Sequence, residues 1–266
     1  MYFLYFLGKQ RTIVSMHGNP YIVHKNEGET LKELLERFRR EHPHLKDEKI
    51  TYAGRLDPMA KGVMILLAGD DVHHKETYLN KDKIYDIEVL FGIATDTGDI
   101  LGTIEDVLDH GSQANMNDIK EVIHACIGAY DQPYPLYSSK TVHGIPLWQY
   151  ARNATSPIEI PTKPIEVYDI HMQSITTLSG RDIYDRAIHR IQKINGDFRQ
   201  EEILTSWEQL RANKSLFTSL QIRVHASSGT YMRTLAERIG AQLHMPALAW
   251  GIERIAVGSY LKGKKT

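Results

Sequence analysis

A single cysteine, Cys126, is all the thiol chemistry this sequence carries. One cysteine excludes an internal disulfide and any two-cysteine metal site, and it fits a reducing compartment. Membrane signals are lacking too. The opening MYFLYFL is apolar, but its first positive charge, Lys9, comes after the run, where a secretory signal wants it before. A membrane span needs roughly 20 apolar residues. The segment reads as a buried strand or an ordered tail, and the protein is expected to be cytoplasmic and free of membrane. Thirteen histidines include His42, His44, His73 and His74, yet no HExxH pattern or closed ligand set appears. No metal and no cofactor are expected.

Excess charge is missing as well: the formal net charge is −1 and the pI about 6.9. Taken whole, that argues against a nucleic-acid partner, but the distribution is uneven. Residues 220–266 carry seven basic side chains (Arg223, Arg233, Arg238, Arg254, Lys262, Lys264, Lys265) against Glu237 and Glu253. Residues 99–131 carry seven acidic ones against Lys120 alone. Such asymmetry permits one basic face on a neutral protein.

What is present reads as α+β, with a mainly antiparallel sheet flanked by helices. Pro20 to His24 alternates as a short strand. Thr30 can cap a helix whose Leu31, Leu34, Leu35 and Phe38 fall at helical spacing, ending near Pro43. A loop from Tyr52 to Ala60 precedes an apolar run, Val63 to Ala68, that reads as a buried strand. Residues 84–91 predict another strand, 115–127 a helix, 136–142 and 165–177 extended chain, and Leu147 to Arg152 a short helix. Between 178 and 215 the chain becomes polar and amphipathic, which predicts a helical insertion between two strands. A strand over Leu220 to Ala226, a helix from Tyr231 to Gln242 and a strand from Ala247 to Val257 follow. Length and composition suit one catalytic domain over residues 1–266 with an insertion at 178–215.

Three side chains stand out chemically. Asp57 sits in GRLDP, where Pro58 restricts it to an extended or turn conformation and Gly54 and Gly62 loosen the chain on either side. It is an Asp-Pro turn or a rigidly held nucleophile or base. Arg233 falls in the first turn of a helix that Thr230 can cap, a place the helix dipole disfavours for a cation. It is either solvated or recruited by a carboxylate; pairing with Asp57 would keep that group charged and oriented. Tyr85 lies in the strand DKIYDIEV, as core or as part of a site.

In combination these segments resemble the TruB family of tRNA pseudouridine synthases, in order along most of the chain. His24 to Thr30 is similar to the family's Lys-Pro-x-Gly-x-Thr opening, and Ala53 to Gly62 to its catalytic Gly-x-Leu-Asp-Pro-x-x-x-Gly. Lys83-Ile84-Tyr85 with Thr95 to Asp99 resembles the Tyr-containing strand and its Thr-Asp-Thr-x-Asp turn. Pro135 to Lys140 is similar to Pro-x-Tyr-Ser-x-x-Lys, and Gly229 to Leu235 to Gly-Thr-Tyr-Ile-Arg-Ser-Leu. The resemblance implies a pseudouridine-synthase fold and isomerisation of a T-loop uridine in tRNA without cofactor. It further implies catalytic roles for Asp57, Tyr85 and Arg233, and substrate contacts from Lys25, Tyr52, Gly54, Lys140, Tyr231 and Ile252.

There are departures. Tyr52 stands where the family has the histidine of Gly-His-x-Gly, so that residue's help in holding flipped-out RNA is either lost or taken by an aromatic stack. Asn26 replaces a proline and Lys61 a threonine. The insertion has no counterpart in the common pattern, and no C-terminal module of the PUA type is expected. Two rival readings remain open: a synthase of the RluA or RsuA groups, which share Gly-Arg-Leu-Asp, and a catalytically silent RNA-binding or RNA-chaperone protein on this fold. No protein partner is evident, and a monomer is expected.

Overall fold

The computed structural model describes residues 20–112, 114–153 and 158–261, so MYFLYFL and the lysines Lys262, Lys264 and Lys265 lie outside the described residues. Strand β1 (Tyr21–Lys25) leads into α1 (Leu31–Glu41). There Thr30 Oγ1 accepts from the Glu33 amide at 3.2 Å, and the Glu33 carboxylate accepts from the Thr30 amide at 2.8 Å. Each partner satisfies a helix-start donor, worth about 1 kcal/mol. β2 (Ile50–Ala53) and β3 (Ala60–Ala68) bracket the loop that carries Asp57. Tyr52 and Ala53, expected in that loop, instead sit opposite Leu66 and Ile65 as the end of β2.

After α2 (Lys75–Leu79) come β4 (Lys83–Phe91), β5 (Ile93–Thr95), β6 (Ile104–Val107), α3 (Met116–Ala125) and β7 (Gly128–Pro133). The stretch 136–142, expected extended, is mostly bends. Only β8 (Thr141–Val142) pairs there, with β9 (Ile145–Pro146). Flanking prolines and consecutive serines favour tight turns over a sheet ladder, and Ser138 donates its amide to Leu136 O at 2.9 Å. Next are α4 (Leu147–Asn153) and the 18-residue β10 (Thr162–Ser179). β10 does not turn directly into its partner: α5 (Gly180–Ile191) and α6 (Gln200–Trp207) stand between it and β11 (Leu216–Ala226). The last elements are α7 (Met232–Gln242), β12 (Ala247–Val257) and β13 (Tyr260–Leu261).

Among the described residues one nine-stranded sheet runs in the order β1-β3-β12-β4-β11-β10-β7, with β2 joined to β3 and β13 to β12. Every pairing is antiparallel except β3 with β12. The period-2 alternation of the strands sorts their side chains between two layers. Tyr85, Ile87, Val89, Leu220, Ile222 and Val224 face one core with Ile119 of α3 and Leu235 and Ile239 of α7. Leu90, Phe217, Leu248 and Trp250 face the other side, where Ile183, Ala187 and Ile191 of α5 and Ile203 and Trp207 of α6 cover them. The helices after β10 thus cover one end of a sheet face whose other end is polar, carrying the Asp86–Arg223 ion pair.

The parallel pair places Ala60 beside Ile252 and Gly62 beside Arg254. Gly62 takes φ +120°, and a Cβ there would run into the Arg254 backbone. Only glycine lets β12 approach this closely.

Candidate active site

Asp57 is held by the backbone around it, not by its own side chain alone. The Asp57 carbonyl accepts from the Ala60 amide at 3.0 Å, and Pro58 O accepts from Gly28 N at 2.9 Å. Two buried cations pin the loop from beneath. Lys25 Nζ donates to Asn26 O, Pro58 O and Ala60 O at 3.1, 3.0 and 2.6 Å. Arg254 donates from Nε to Val63 O at 2.7 Å and from Nη1 to Arg55 O at 3.1 Å. Burial pushes the Lys25 ammonium down to about 8, against the pull of Glu29, Asp57 and Glu27.

Arg233 closes the arrangement from α7. Its side chain is 3% exposed, while that of Asp57 is 40% exposed, so the acid is reachable and its partner is not. Nε donates to Asp57 Oδ2 at 2.9 Å, Nη1 to Thr97 O at 2.6 Å and Nη2 to Tyr137 O at 3.1 Å. One planar group therefore locks three segments distant in sequence. A second carboxylate, Asp99, stands 3.9 Å from Arg233 Nε. Its Oδ1 accepts from Thr97 Oγ1 and Leu101 N at 2.8 and 2.9 Å. Burial raises the Asp99 carboxyl above its ordinary value, against Arg233. Burial also works against the charge of Arg233, but Asp57, Asp99 and Glu237 outweigh it and hold the guanidinium above its ordinary value.

The start of α7 does not follow the sequence expectation. Tyr231, not Thr230, is the capping position, and no side chain caps it. Thr230 Oγ1 instead donates to Ser227 O at 3.0 Å. The amide of Gln132 does the fixing: its Oε1 accepts from Tyr231 N at 2.8 Å and its Nε2 donates to Tyr231 O at 3.1 Å.

Two cavities meet at Asp57 and share Arg55, Leu56, Asp57, Ser138 and Ser139, and Arg233 lines the larger of them. The smaller, about 400 Å³, is lined by Gly54, Tyr85, Tyr231 and Ile252 together with Lys83 and Lys163. Tyr85 is only 8% exposed and packs in the core, yet it also forms part of this wall. Lys83 Nζ donates to Ser228 Oγ at 2.9 Å, and Lys163 Nζ to Ser228 O at 2.9 Å. Burial lowers both ammonium groups, Lys83 to about 8. Burial, then Asp57, raises the Tyr231 phenol. Arg254 lines the same cavity, and its Nη2 has no hydrogen-bond partner among the described residues. The larger cavity, about 490 Å³, is also lined by Tyr137, Trp148, Arg152, Phe198 and Arg199.

Of the residues expected to touch substrate, Gly54, Tyr231 and Ile252 meet at the smaller cavity with Asp57 and Tyr85. Lys25, Tyr52 and Lys140 line neither cavity. Lys25 is drawn beneath the loop because its carbonyls need a donor. Tyr52 is turned by β2 toward Arg55 and Lys75, whose cations lie 5.8 and 5.6 Å from its ring centre. Lys140 stands over Tyr134 at 5.0 Å. Sequence reasoning missed Lys83, Lys163, Arg254, Gln132 and Asp99. Lys83 and Asp99 lay inside segments already singled out; the others carried no local signal. Among the described residues no group of three or more His, Cys, Asp or Glu side chains is placed to hold a metal ion, and no helix is long and apolar enough to cross a membrane.

Residues 42–181 match the model of the "TruB family pseudouridylate synthase (N terminal domain)". The chain is 29% identical over 247 residues to "tRNA pseudouridine synthase B" of Staphylococcus aureus strain Newman, covering 92% of this chain and 68% of that protein. The protein of the same description from strain JH9 matches to the same extent. Among solved structures, a chain of a Cbf5-Nop10-Gar1 complex superposes with a TM-score of 0.55 at 17% identity, covering 91% of this chain and 50% of that one. A chain from an H/ACA RNP bound to a substrate RNA containing 2'-deoxyuridine gives 0.53 at 15%, with 91% and 48% covered. The chain thus spans about half the length of these solved chains, and at such identity the likeness is one of fold.

Proposed function

The chain belongs to the TruB family of pseudouridylate synthases, and on that premise we propose that it converts a T-loop uridine of tRNA to pseudouridine with Asp57 as its catalytic carboxylate. One observation carries this reading: a reachable Asp57 bonded at 2.9 Å to an all but fully buried Arg233, between two cavities.

The reaction is an isomerisation. The bond between uracil N1 and ribose C1′ breaks, the uracil turns, C5 joins C1′, and the hydrogen at C5 leaves as a proton while N1 gains one. No atom or electron is supplied from outside. The target base must first leave its stack, which costs a few kcal/mol and calls for flat walls to receive it. In this reading the smaller cavity receives the uracil between Tyr85, Tyr231 and Ile252. Lys83, Lys163 and Arg254 take the adjoining backbone phosphate, whose charge would return the desolvated lysines toward their ordinary values. Asp57 attacks or assists at the ribose or the uracil. Arg233 fixes the direction of that approach, and Tyr85 holds the base and assists proton movement. Roles for Lys25, Tyr52 and Lys140 are indirect: the first supports the Asp57 loop and the other two flank the cleft. The protein works as a monomer, on tRNA and in the cytoplasm.

A T-arm stem-loop carrying uridine tritiated at C5 tests the proposal, because only isomerisation frees that hydrogen. Wild-type protein should release tritium stoichiometrically, and Asp57→Asn should bind the RNA and release none. Release by Asp57→Asn at close to the wild-type rate would end the assignment of Asp57. Absence of release by the wild type from any RNA would end the reading as a synthase.

A further inference from the structure

The helical segment after β10 reaches the catalytic cleft. Between α5 and α6 the chain runs through Asn195-Gly196-Asp197-Phe198-Arg199, and the last three residues line the larger cavity, which Asp57 also lines. Arg199 adopts φ +62° and ψ +31°, a left-handed conformation that costs a non-glycine residue about 1 kcal/mol. Specific contacts hold it there. Its Nη2 meets Asp96 Oδ2 at 2.8 Å, and its guanidinium lies 4.6 Å from the centre of the Tyr137 ring. Tyr137 is the residue whose carbonyl accepts from Arg233 at 3.1 Å, so the turn is two contacts away from the catalytic pair.

The turn is braced from behind. Arg190 forms a two-pronged bond with Glu27 at 2.8 and 3.0 Å, and Asn195 Nδ2 donates to Glu33 Oε1 at 2.8 Å. Trp207, fully buried, donates Nε1 to Gly102 O at 3.1 Å. Met59, two residues from Asp57, packs in the same apolar cluster as α5 and α6. The turn is therefore a fixed wall.

The surroundings of the cavity have the chemistry of a single-stranded RNA site. Trp148 and Phe198 line it with aromatic rings, Tyr137 carries Arg199 on its ring, and Arg55, Arg152 and Arg199 bring planar guanidinium groups, the last two paired with Asp197 and Asp96. Unstacked bases are received on just such surfaces. The two cavities share Asp57 and its neighbours, so an RNA with its target uridine in one places an adjoining nucleotide at the mouth of the other. We propose that the turn Asp197–Phe198–Arg199 is a specificity element of the enzyme, which receives the base next to the target uridine against Phe198 and Arg199. The inference rests on the synthase reading above.

The test is a cycle between protein and RNA. Tritium release is measured on three T-arm stem-loops: unmodified, abasic on the 5′ side of the target, and abasic on the 3′ side. Wild-type protein is compared with Phe198→Leu, which keeps apolar bulk and removes the flat face, and with Arg199→Ala. On one abasic RNA the wild-type kcat/KM should fall about tenfold, through KM. Phe198→Leu should lose a similar factor on the unmodified RNA and little more on that abasic one. Losses that multiply on both abasic RNAs, or an unmodified KM in both variants, would overturn the inference while leaving the synthase reading intact. Absence of tritium release by the wild type would overturn both. Circular dichroism of each variant checks that the fold is kept, and a variant that unfolds is replaced by Phe198→Met in the same cycle.

Discussion

The two walls of the cleft are built on different principles. On the side of Tyr85 and Ile252 the wall is the sheet itself: Tyr85 is in register with Val224 on one neighbour and Arg254 on the other, and Ile252 with Ile87 and Ala60. Moving one of these side chains means slipping a strand, which would turn its whole apolar set to the wrong face. On the side of Phe198 and Arg199 the wall is a turn between two helices, carried on the apolar layer that α5 and α6 share with the second face of the sheet and tied down by a few polar bonds. The chemistry proposed for Asp57 and Tyr85 thus falls where geometry is over-determined, and the discrimination proposed for Phe198 and Arg199 falls on a turn outside the strand ladder.

That contrast breaks first, and most severely, at the residue belonging to the chemical side. Arg233→Ala leaves Asp99 buried without its counter-ion and removes the bonds to Asp57, Thr97 and Tyr137. A stability loss of about 3–5 kcal/mol is expected, read from denaturant midpoints, along with tritium release at background. A stable, active variant would mean that the carboxylate is positioned by its loop alone.

Trp207→Ala probes the opposite wall. Truncating a fully buried tryptophan costs about 3–5 kcal/mol where the surroundings cannot collapse. Because the loss falls on the layer of α5 and α6, limited proteolysis should cut first between residues 192 and 207. KM should then rise with kcat held within about threefold. Simultaneous loss of the whole sheet would show that the two walls fold as one unit.

A smaller effect is expected beneath the Asp57 loop. Lys25 is pushed down to about 8 in the folded chain from 10.5. Between those values the unfolded chain holds a proton that the folded one has released, so stability from this group rises as pH climbs from about 8 toward 10.5. Lys25→Met should remove that gain, at most a few kcal/mol, so the difference between the two proteins in denaturant midpoint should grow from pH 7.5 to 9.5. A constant difference would contradict the burial of a charge at this place. The mildest expected change is Lys163→Gln, which should lower the slope of log affinity against log salt by about one while leaving kcat unchanged.

Much of the chemical wall could be read from residue order. Pro58 and the two glycines marked Asp57 as a turn or a held carboxylate, and the first-turn position marked Arg233 as solvated or recruited by an acid. Only the ordered resemblance pointed to the two together, a pairing the structure shows at 2.9 Å. Tyr85 was legible only as an alternating strand position, since core and site ask for the same ring. The direction of long side chains was not legible. Lys25 turns inward because the Pro58 and Ala60 carbonyls want a donor, and no sequence pattern announces an unpaired carbonyl. Lys83, Lys163 and Arg254 belong to β4, β10 and β12, and no local pattern shows that these three strands bring them to one cavity. The polar stretch NGDFRQ carried no sign that Arg199 would reach Tyr137 and Asp96.

The pairing of β3 with β12 also has a consequence in time. Asp57 leaves the ribosome before Arg233, its bonded partner 176 residues further along, and the Arg254 bond to its loop spans 199. Contacts of such sequence separation close late in folding. A nascent chain that has already made Asp57, β4 and the helices α5 and α6 therefore still lacks the Asp57–Arg233 pair. Synthesis has to pass residue 257 before the strand that joins the two halves can enter the sheet.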